Sequence, residues 1–243
     1  MNASASRPSS RPSLFARSHP AGWSLWLLST ILLCCGALFG TASTAEEARS
    51  SAAVRQSGAS PTMLILGDSI SAEYGLVRDS GWVKLLDARL RDERYDYRIV
   101  NASVSGETTS GGLARLDELL TRVKPSIVVV ELGGNDALRG LPLATAEANL
   151  GTIVSRSQKA GAKVLVVGMQ IPPNYGKAFA DRFAAVFTDT AKRYGTALTP
   201  FFFQGFADRF DLFQPDRIHP TAAAQQRLLD NVWPDLQPLL KRP

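Results

Sequence analysis

A hydroxyl or thiol becomes a useful nucleophile only beside a base that takes its proton and a group that orients that base. This chain narrows the choice sharply. Its two histidines are His19, in the N-terminal stretch, and His219, so any imidazole chemistry in the rest of the chain must use His219. Asp216, three residues earlier, is near enough to hold the ring Nδ1–H, and Pro220 biases His219 away from helical backbone so that its ring can project. Ser69, in the segment Gly67-Asp68-Ser69-Ile70-Ser71, directly follows an apolar run and has a glycine for a tight turn, which makes it the expected nucleophile. An oxyanion formed on the substrate needs donors, and three are available: the Ser69 N–H, the Gly106 N–H and the Asn135 side-chain amide. Taken singly, each motif also reads as a turn or a helix cap. Their common placement carries the argument.

That placement comes from five short apolar runs: Met63–Leu66, Arg98–Val100, Ile127–Leu132, Val164–Val167 and Ala197–Phe203. Their continuous rather than alternating hydrophobicity predicts strands buried on both faces, as in a parallel sheet. Between them runs helical spacing, as in Leu113, Leu116, Leu119 and Leu120, or Phe179, Phe183, Val186 and Phe187. A final helix is expected over Thr221–Leu240, with Pro234 ending or kinking it. Strands alternating with helices predict a three-layer α/β/α sandwich. In such sheets ligands bind beyond the carboxyl ends of the strands. Ser69 follows the first run, Gly106 the second, Asn135 the third, and Asp216 and His219 come after the fifth.

Composition removes several alternatives. Cys34 and Cys35 are the only cysteines and both lie near the N-terminus, which excludes a disulfide framework and cysteine nucleophiles from residue 46 onward. With one histidine and no cysteine there, no metal site and no cofactor are expected; neither a P-loop nor a dinucleotide fingerprint is present. The net charge of +5 includes Arg7, Arg11 and Arg17, which precede every acidic residue, so the remainder has little basic excess. No nucleic-acid partner is expected. Residues 1–45 have a basic start, an apolar stretch from Trp23 to Phe39 and a small-residue exit, the pattern of a secretory signal peptide. An uncleaved membrane anchor is the rival reading. Either places the body outside the cytoplasm, periplasmic or secreted, and cleavage would leave no stable membrane contact. Residues 46–61 read as a flexible linker and 62–243 as a single catalytic domain, expected to be a monomer.

The blocks Gly-Asp-Ser-Ile-Ser (67–71), the glycine at 106, Gly-Gly-Asn-Asp (133–136) and Asp-x-x-His (216–219) together resemble the SGNH, or GDSL-type, hydrolases. Ile70 stands where that family has leucine. The likeness covers nearly all of residues 62–240 and is closest to the bacterial periplasmic thioesterase/lysophospholipase and arylesterase subgroup. The segments 67–76, 81–86, 100–112, 133–142 and 171–179 support it. The resemblance implies Ser69 as nucleophile, His219 as base, Asp216 as its partner, and Ser69, Gly106 and Asn135 as oxyanion donors. It further implies a five-stranded parallel sheet in the flavodoxin-like order 2-1-3-4-5 and a serine esterase acting on a small acyl ester, thioester or lipid. Leu138, Leu141, Pro142, Pro173, Tyr175 and Phe213 fall on loops at the same edge and are candidates for an acyl or aryl groove. Two other functions remain open at this level: a noncatalytic lipid-binding protein and a carbohydrate O-acetylesterase.

Overall fold

The computed structural model describes residues 60–171 and 173–242; the expected signal peptide and most of the expected linker lie outside them. Five parallel strands form the central layer: β1 (Thr62–Gly67), β2 (Arg98–Asn101), β3 (Ile127–Glu131), β4 (Lys163–Val167) and β5 (Ala197–Thr199). They hydrogen-bond in the order β2-β1-β3-β4-β5. Every residue of β1 and β3 is buried. Two β-strands at the middle of the sheet, covered on both faces, have no solvated side and so no polar alternation.

Among the described residues six helices flank the sheet: α1 (Trp82–Asp92), α2 (Thr109–Val123), α3 (Gly134–Leu138), α4 (Leu143–Lys159), α5 (Lys177–Tyr194) and α6 (Gln225–Leu236). α2, α4 and α5 pack side by side, and α1 packs on α6, which makes the two outer layers. The helical spacing is the burial pattern. Leu116, Leu119, Leu120 and Val123 of α2 face inward, as do Phe183, Val186 and Phe187 of α5. Thr108 caps α2, its hydroxyl accepting from the Gly111 amide at 3.2 Å, and Lys124 ends the helix in the left-handed conformation just before Pro125. Among the described residues no helix is long and apolar enough to cross a membrane.

Two elements differ from the sequence pattern. The fifth strand stops at Thr199 because Pro200 has no N–H to continue the ladder. The chain turns instead, and the Phe202 amide donates back to the Gly168 carbonyl at 2.8 Å, which buries Phe202 and Phe206 from a turn rather than a strand. The C-terminal helix is shorter than Thr221–Leu240 and is not ended by Pro234. A 3₁₀ turn occupies Ala222–Ala224, α6 runs through Pro234 to Leu236, and a second 3₁₀ turn follows. Pro234 lies in the last turn, where a missing amide costs one hydrogen bond, while buried Val232, Trp233 and Leu236 hold that turn on the core.

Candidate active site

The turn after β1 wraps tightly. The Ala72 amide donates to the Asp68 carbonyl at 2.9 Å and the Tyr74 amide to the Ser69 carbonyl at 3.0 Å, so Ser69 sits on a tight turn just beyond the end of β1. Glycine at 67 is a matter of space. A Cβ there would stand 2.8 Å from Glu131 Oε2, Ser103 Oγ and Ser71 Cβ. The close approach lets strand β1 end directly beneath the Ser69 turn.

His219 and Asp216 come from a loop folded back on itself. The Gln214 amide donates to the His219 carbonyl at 2.7 Å, and Phe213 and Pro220 form an antiparallel bridge. Asp216 organises the loop tip: its Oδ1 accepts from the Ile218 amide at 2.9 Å and the His219 amide at 3.1 Å, while Arg217 between them has a positive φ. Asp216 Oδ2 lies 2.7 Å from His219 Nδ1, and His219 Nε2 lies 2.8 Å from Ser69 Oγ. With Nδ1 protonated and donating to Asp216, Nε2 is left as the acceptor for the Ser69 hydroxyl. Burial works against ionisation of Asp216, but the Ile218 amide, the His219 ring and the His219 amide outweigh it and hold the carboxyl below its ordinary value. That keeps it anionic and able to orient the ring.

Two further loops reach the same place. After β2 the chain is tied to β1, the Ala102 amide donating to the Ile65 carbonyl and the Val104 amide to the Gly67 carbonyl. A four-residue turn follows, closed by the Glu107 amide on the Val104 carbonyl at 3.1 Å, with Gly106 at φ 76° as its third residue. That position favours glycine and leaves the Gly106 amide outside the turn's own bond. Asn135 is on the short helix α3 after β3, half-buried, and its Nδ2 donates to Asp68 Oδ2 at 3.0 Å. One amide proton is thus held and the other is free to meet a substrate. The structure therefore brings Ser69, Gly106, Asn135, Asp216 and His219 to one edge of the sheet.

The groove candidates divide. Leu138 ends α3, Leu141 and Pro142 follow it, and Tyr175 is in the 3₁₀ turn after β4; all four are exposed. Pro173 is in the 3₁₀ turn Pro173–Tyr175. Phe213 is half-buried and packs against Phe203 and Phe206 with ring centroids 5.4 and 5.7 Å apart, so core packing accounts for it. A cleft of about 460 Å³ beside β2, lined by Glu73, Asp79, Lys84 and Asn101 among others, includes none of Ser69, Asp216 or His219. It offers no nucleophile paired with a base. Among the described residues no group of three potential metal ligands is present.

Several residues at the site are not singled out by the sequence reading. Tyr74 lays its ring on His219, with centroids 4.4 Å apart, and Gln214 Nε2 donates to the Tyr74 carbonyl at 2.8 Å, joining the loops that bear Ser69 and His219. Arg139 Nη2 donates to the Gly106 carbonyl at 2.8 Å. Asp136, next to Asn135, points inward, accepting from the Thr109 amide at 2.9 Å and the Thr109 hydroxyl at 2.6 Å. Glu131 is buried beneath Ser69. Asp136 stands in the Gly-Gly-Asn-Asp block, and Glu131 has a signal of its own: it is the one charged residue in an otherwise apolar strand run.

An open parallel sheet with a serine, histidine and aspartate in hydrogen-bond contact beyond its strand ends is the frame of an ester hydrolase. Residues 65–227 match the GDSL-like lipase/acylhydrolase family, and the chain belongs to that family. Its activity is that of a carboxylic-ester hydrolase. It is 52% identical over 185 residues to the esterase TesA of Pseudomonas aeruginosa, an alignment covering 76% of this chain and 92% of that protein. Thioesterase 1/protease 1/lysophospholipase L1 of Escherichia coli K12 is 38% identical over 185 residues, covering 76% of this chain and 88% of its own. A crystal structure of TesA superposes with a TM-score of 0.73 at 53% identity, over 74% of this chain and 99% of that one.

Proposed function

We propose that this chain is an extracytoplasmic serine esterase that works through an acyl-enzyme on Ser69. The observation that carries the reading is the continuous contact from Asp216 through His219 to Ser69, at 2.7 and 2.8 Å. His219 Nε2 takes the Ser69 proton as Oγ attacks the acyl carbon, and Asp216 stays ionised beside the imidazolium that forms. The carbonyl oxygen becomes an oxyanion that accepts from the Ser69 amide, the Gly106 amide and the free amide proton of Asn135. Breaking the bond to the leaving group, with the His219 proton passing to it, releases the alcohol or thiol. Water then gives a proton to His219 and attacks the acyl carbon. Cleavage of the bond to Oγ returns that proton to Ser69 and releases the acid.

The exposed apolar residues Leu138, Leu141 and Tyr175 favour aryl or lipid-like acyl groups over acetylated sugars. Thioesters and lysophospholipids are variants of the same acyl transfer, in keeping with the thioesterase and lysophospholipase named in the relative from E. coli. The leader sequence supports export, and cell fractionation of the full chain checks it. A fluorophosphonate tests the chemistry directly. It should label the wild-type protein at Ser69 and leave Ser69→Ala unlabelled, folded and without turnover. Labelling of Ser69→Ala at Ser71 or Ser103 would transfer the nucleophile's role elsewhere.

A further inference from the structure

Beneath Ser69 lies a buried polar cluster that the acyl-transfer steps do not use. Asp68 is 3% exposed and Glu131 2%. Glu131 ends β3 directly beside Gly67, which ends β1. Its Oε2 accepts from the Asp68 amide at 3.2 Å and from the Ser71 hydroxyl at 2.7 Å, and Ser71 Oγ in turn accepts from Trp82 Nε1 at 3.1 Å. Asp68 uses both oxygens: Oδ1 accepts from the Ile70 amide and Oδ2 from Asn135 Nδ2, each at 3.0 Å. Among the described residues neither carboxyl forms an ion pair with a lysine or arginine.

We propose that Asp68 is a positioning residue for the oxyanion site, gripping one amide proton of Asn135 so that the other meets the developing charge, and that Glu131 supports Asp68 in this role from beneath, accepting from the Asp68 amide and the Ser71 hydroxyl. This rests on the serine-esterase reading above. Two carboxyls buried at adjoining strand ends cannot both ionise at ordinary cost. Burial and then the neighbouring Asp68 charge raise Glu131 well above the carboxylate range. Burial also lifts Asp68, to about 6, but the Ile70 amide, His219, Asn135 and a hydrogen bond from Glu131 pull it back, so Asp68 is the partner that ionises. An anionic Asp68 accepts from the Ile70 amide and the Asn135 amide together. A neutral amide in its place has a single acceptor oxygen for these two bonds. An asparagine side chain on a short helix otherwise rotates freely about its last bond, and an amide that is held loses nothing to reorientation when the oxyanion appears.

A double-mutant cycle on one aryl ester tests the proposal, with fold checked by circular dichroism. Asp68→Asn should lower kcat about tenfold or more with KM nearly unchanged, the sign of an interaction made in the transition state. In the Asn135→Ala background the same change should cost less than about twofold more, because its effect runs through the missing amide. Glu131→Gln, which keeps an acceptor oxygen for the Asp68 amide and the Ser71 hydroxyl, should lose far less kcat than Glu131→Leu. Equal effects of Asp68→Asn in both backgrounds, or a wild-type kcat in Asp68→Asn, would overturn the role of Asp68. Equal losses in the two Glu131 variants would overturn that of Glu131. If Asp68→Asn does not fold, the Asn135 side-chain protons of the wild-type enzyme carry the test by NMR, assigned from their loss in Asn135→Ala. One proton should hold its shift when a phosphonate inhibitor binds and the other should move; joint movement, or none, refutes the grip. Fluorophosphonate labelling of wild-type Ser69 separates the two failures: it persists if only this proposal is wrong and is absent if the esterase reading is wrong.

Discussion

Removing the Asn135 amide separates an oxyanion role from simple substrate binding. Asn135 Nδ2 makes one bond within the protein, to Asp68 Oδ2, and its second proton is the one available to the substrate. In Asn135→Ala the transition state loses one preorganised donor, a loss of about 10²–10³ in kcat or roughly 3–4 kcal/mol. KM should change little, since a ground-state carbonyl gains far less from the donor than an oxyanion does. The structural cost is separate and smaller. Asp68 Oδ2 loses a partner while Oδ1 keeps the Ile70 amide, so stability should fall by about 1–2 kcal/mol. In a domain of this size that is a decrease in Tm of a few degrees, about 2–4 °C per kcal/mol. The assay is steady-state kinetics on one aryl ester beside a thermal melt. Asp136→Asn is the useful comparison. Asp136 is buried on Thr109, and an amide there has one acceptor oxygen for the two Thr109 donors, so the buried Thr109 hydroxyl loses its acceptor and this variant should lose more stability than Asn135→Ala. A large rise in KM with kcat preserved in Asn135→Ala would make Asn135 a ground-state binding residue and refute the oxyanion assignment.

Gly106→Ala places a Cβ on a residue at φ 76°, at a cost of about 1–2 kcal/mol, and should turn the Gly106 amide and lower kcat; an unchanged kcat would remove that amide from the oxyanion site. The pH dependence of stability follows from Asp68, whose pKa is raised by burial from 3.8 to about 6. A raised carboxyl binds its proton more tightly in the fold, so its contribution is complete below about pH 4 and is lost as pH rises through about 6. Denaturant melts of wild type and Asp68→Asn should therefore show a difference that shifts by up to about 3 kcal/mol across that window, and a flat difference would contradict it. Chelators and reductants should leave turnover unchanged, since residues 46–243 contain one histidine and no cysteine; inactivation by a chelator, reversed by added metal, would show otherwise.

The sheet and its layers were legible in the sequence because a strand buried on both faces has no polar side to hide. Met63–Leu66 and Ile127–Val130 can satisfy that burial only as central strands, and the leucines of α2 and the phenylalanines of α5 repeat at the helical period. The candidate triad was legible for a reason of scarcity: with His219 the one imidazole beyond the leader, Asp216 and Ser69 followed from reach and from strand ends. Local rules did less well where tertiary contacts outweigh them. Pro234 neither ends nor visibly interrupts α6, because the buried face of its last turn holds the helix on the core. Phe213 reads as a loop residue free to face a ligand, yet the ring finds Phe203 and Phe206. What only the tertiary structure decided is which groups meet across the strand ends. Glu131 and Asp68 are 63 residues apart, Asn135 and Asp68 are 67 apart, and Ser69 and His219 are 150 apart. Sequence spacing expresses neighbours along one element, through periods of two and 3.6. It does not express the parallel register that sets Gly67 beside Glu131, and that register is what places a buried acid beneath Ser69 and lets Asp68 reach Asn135.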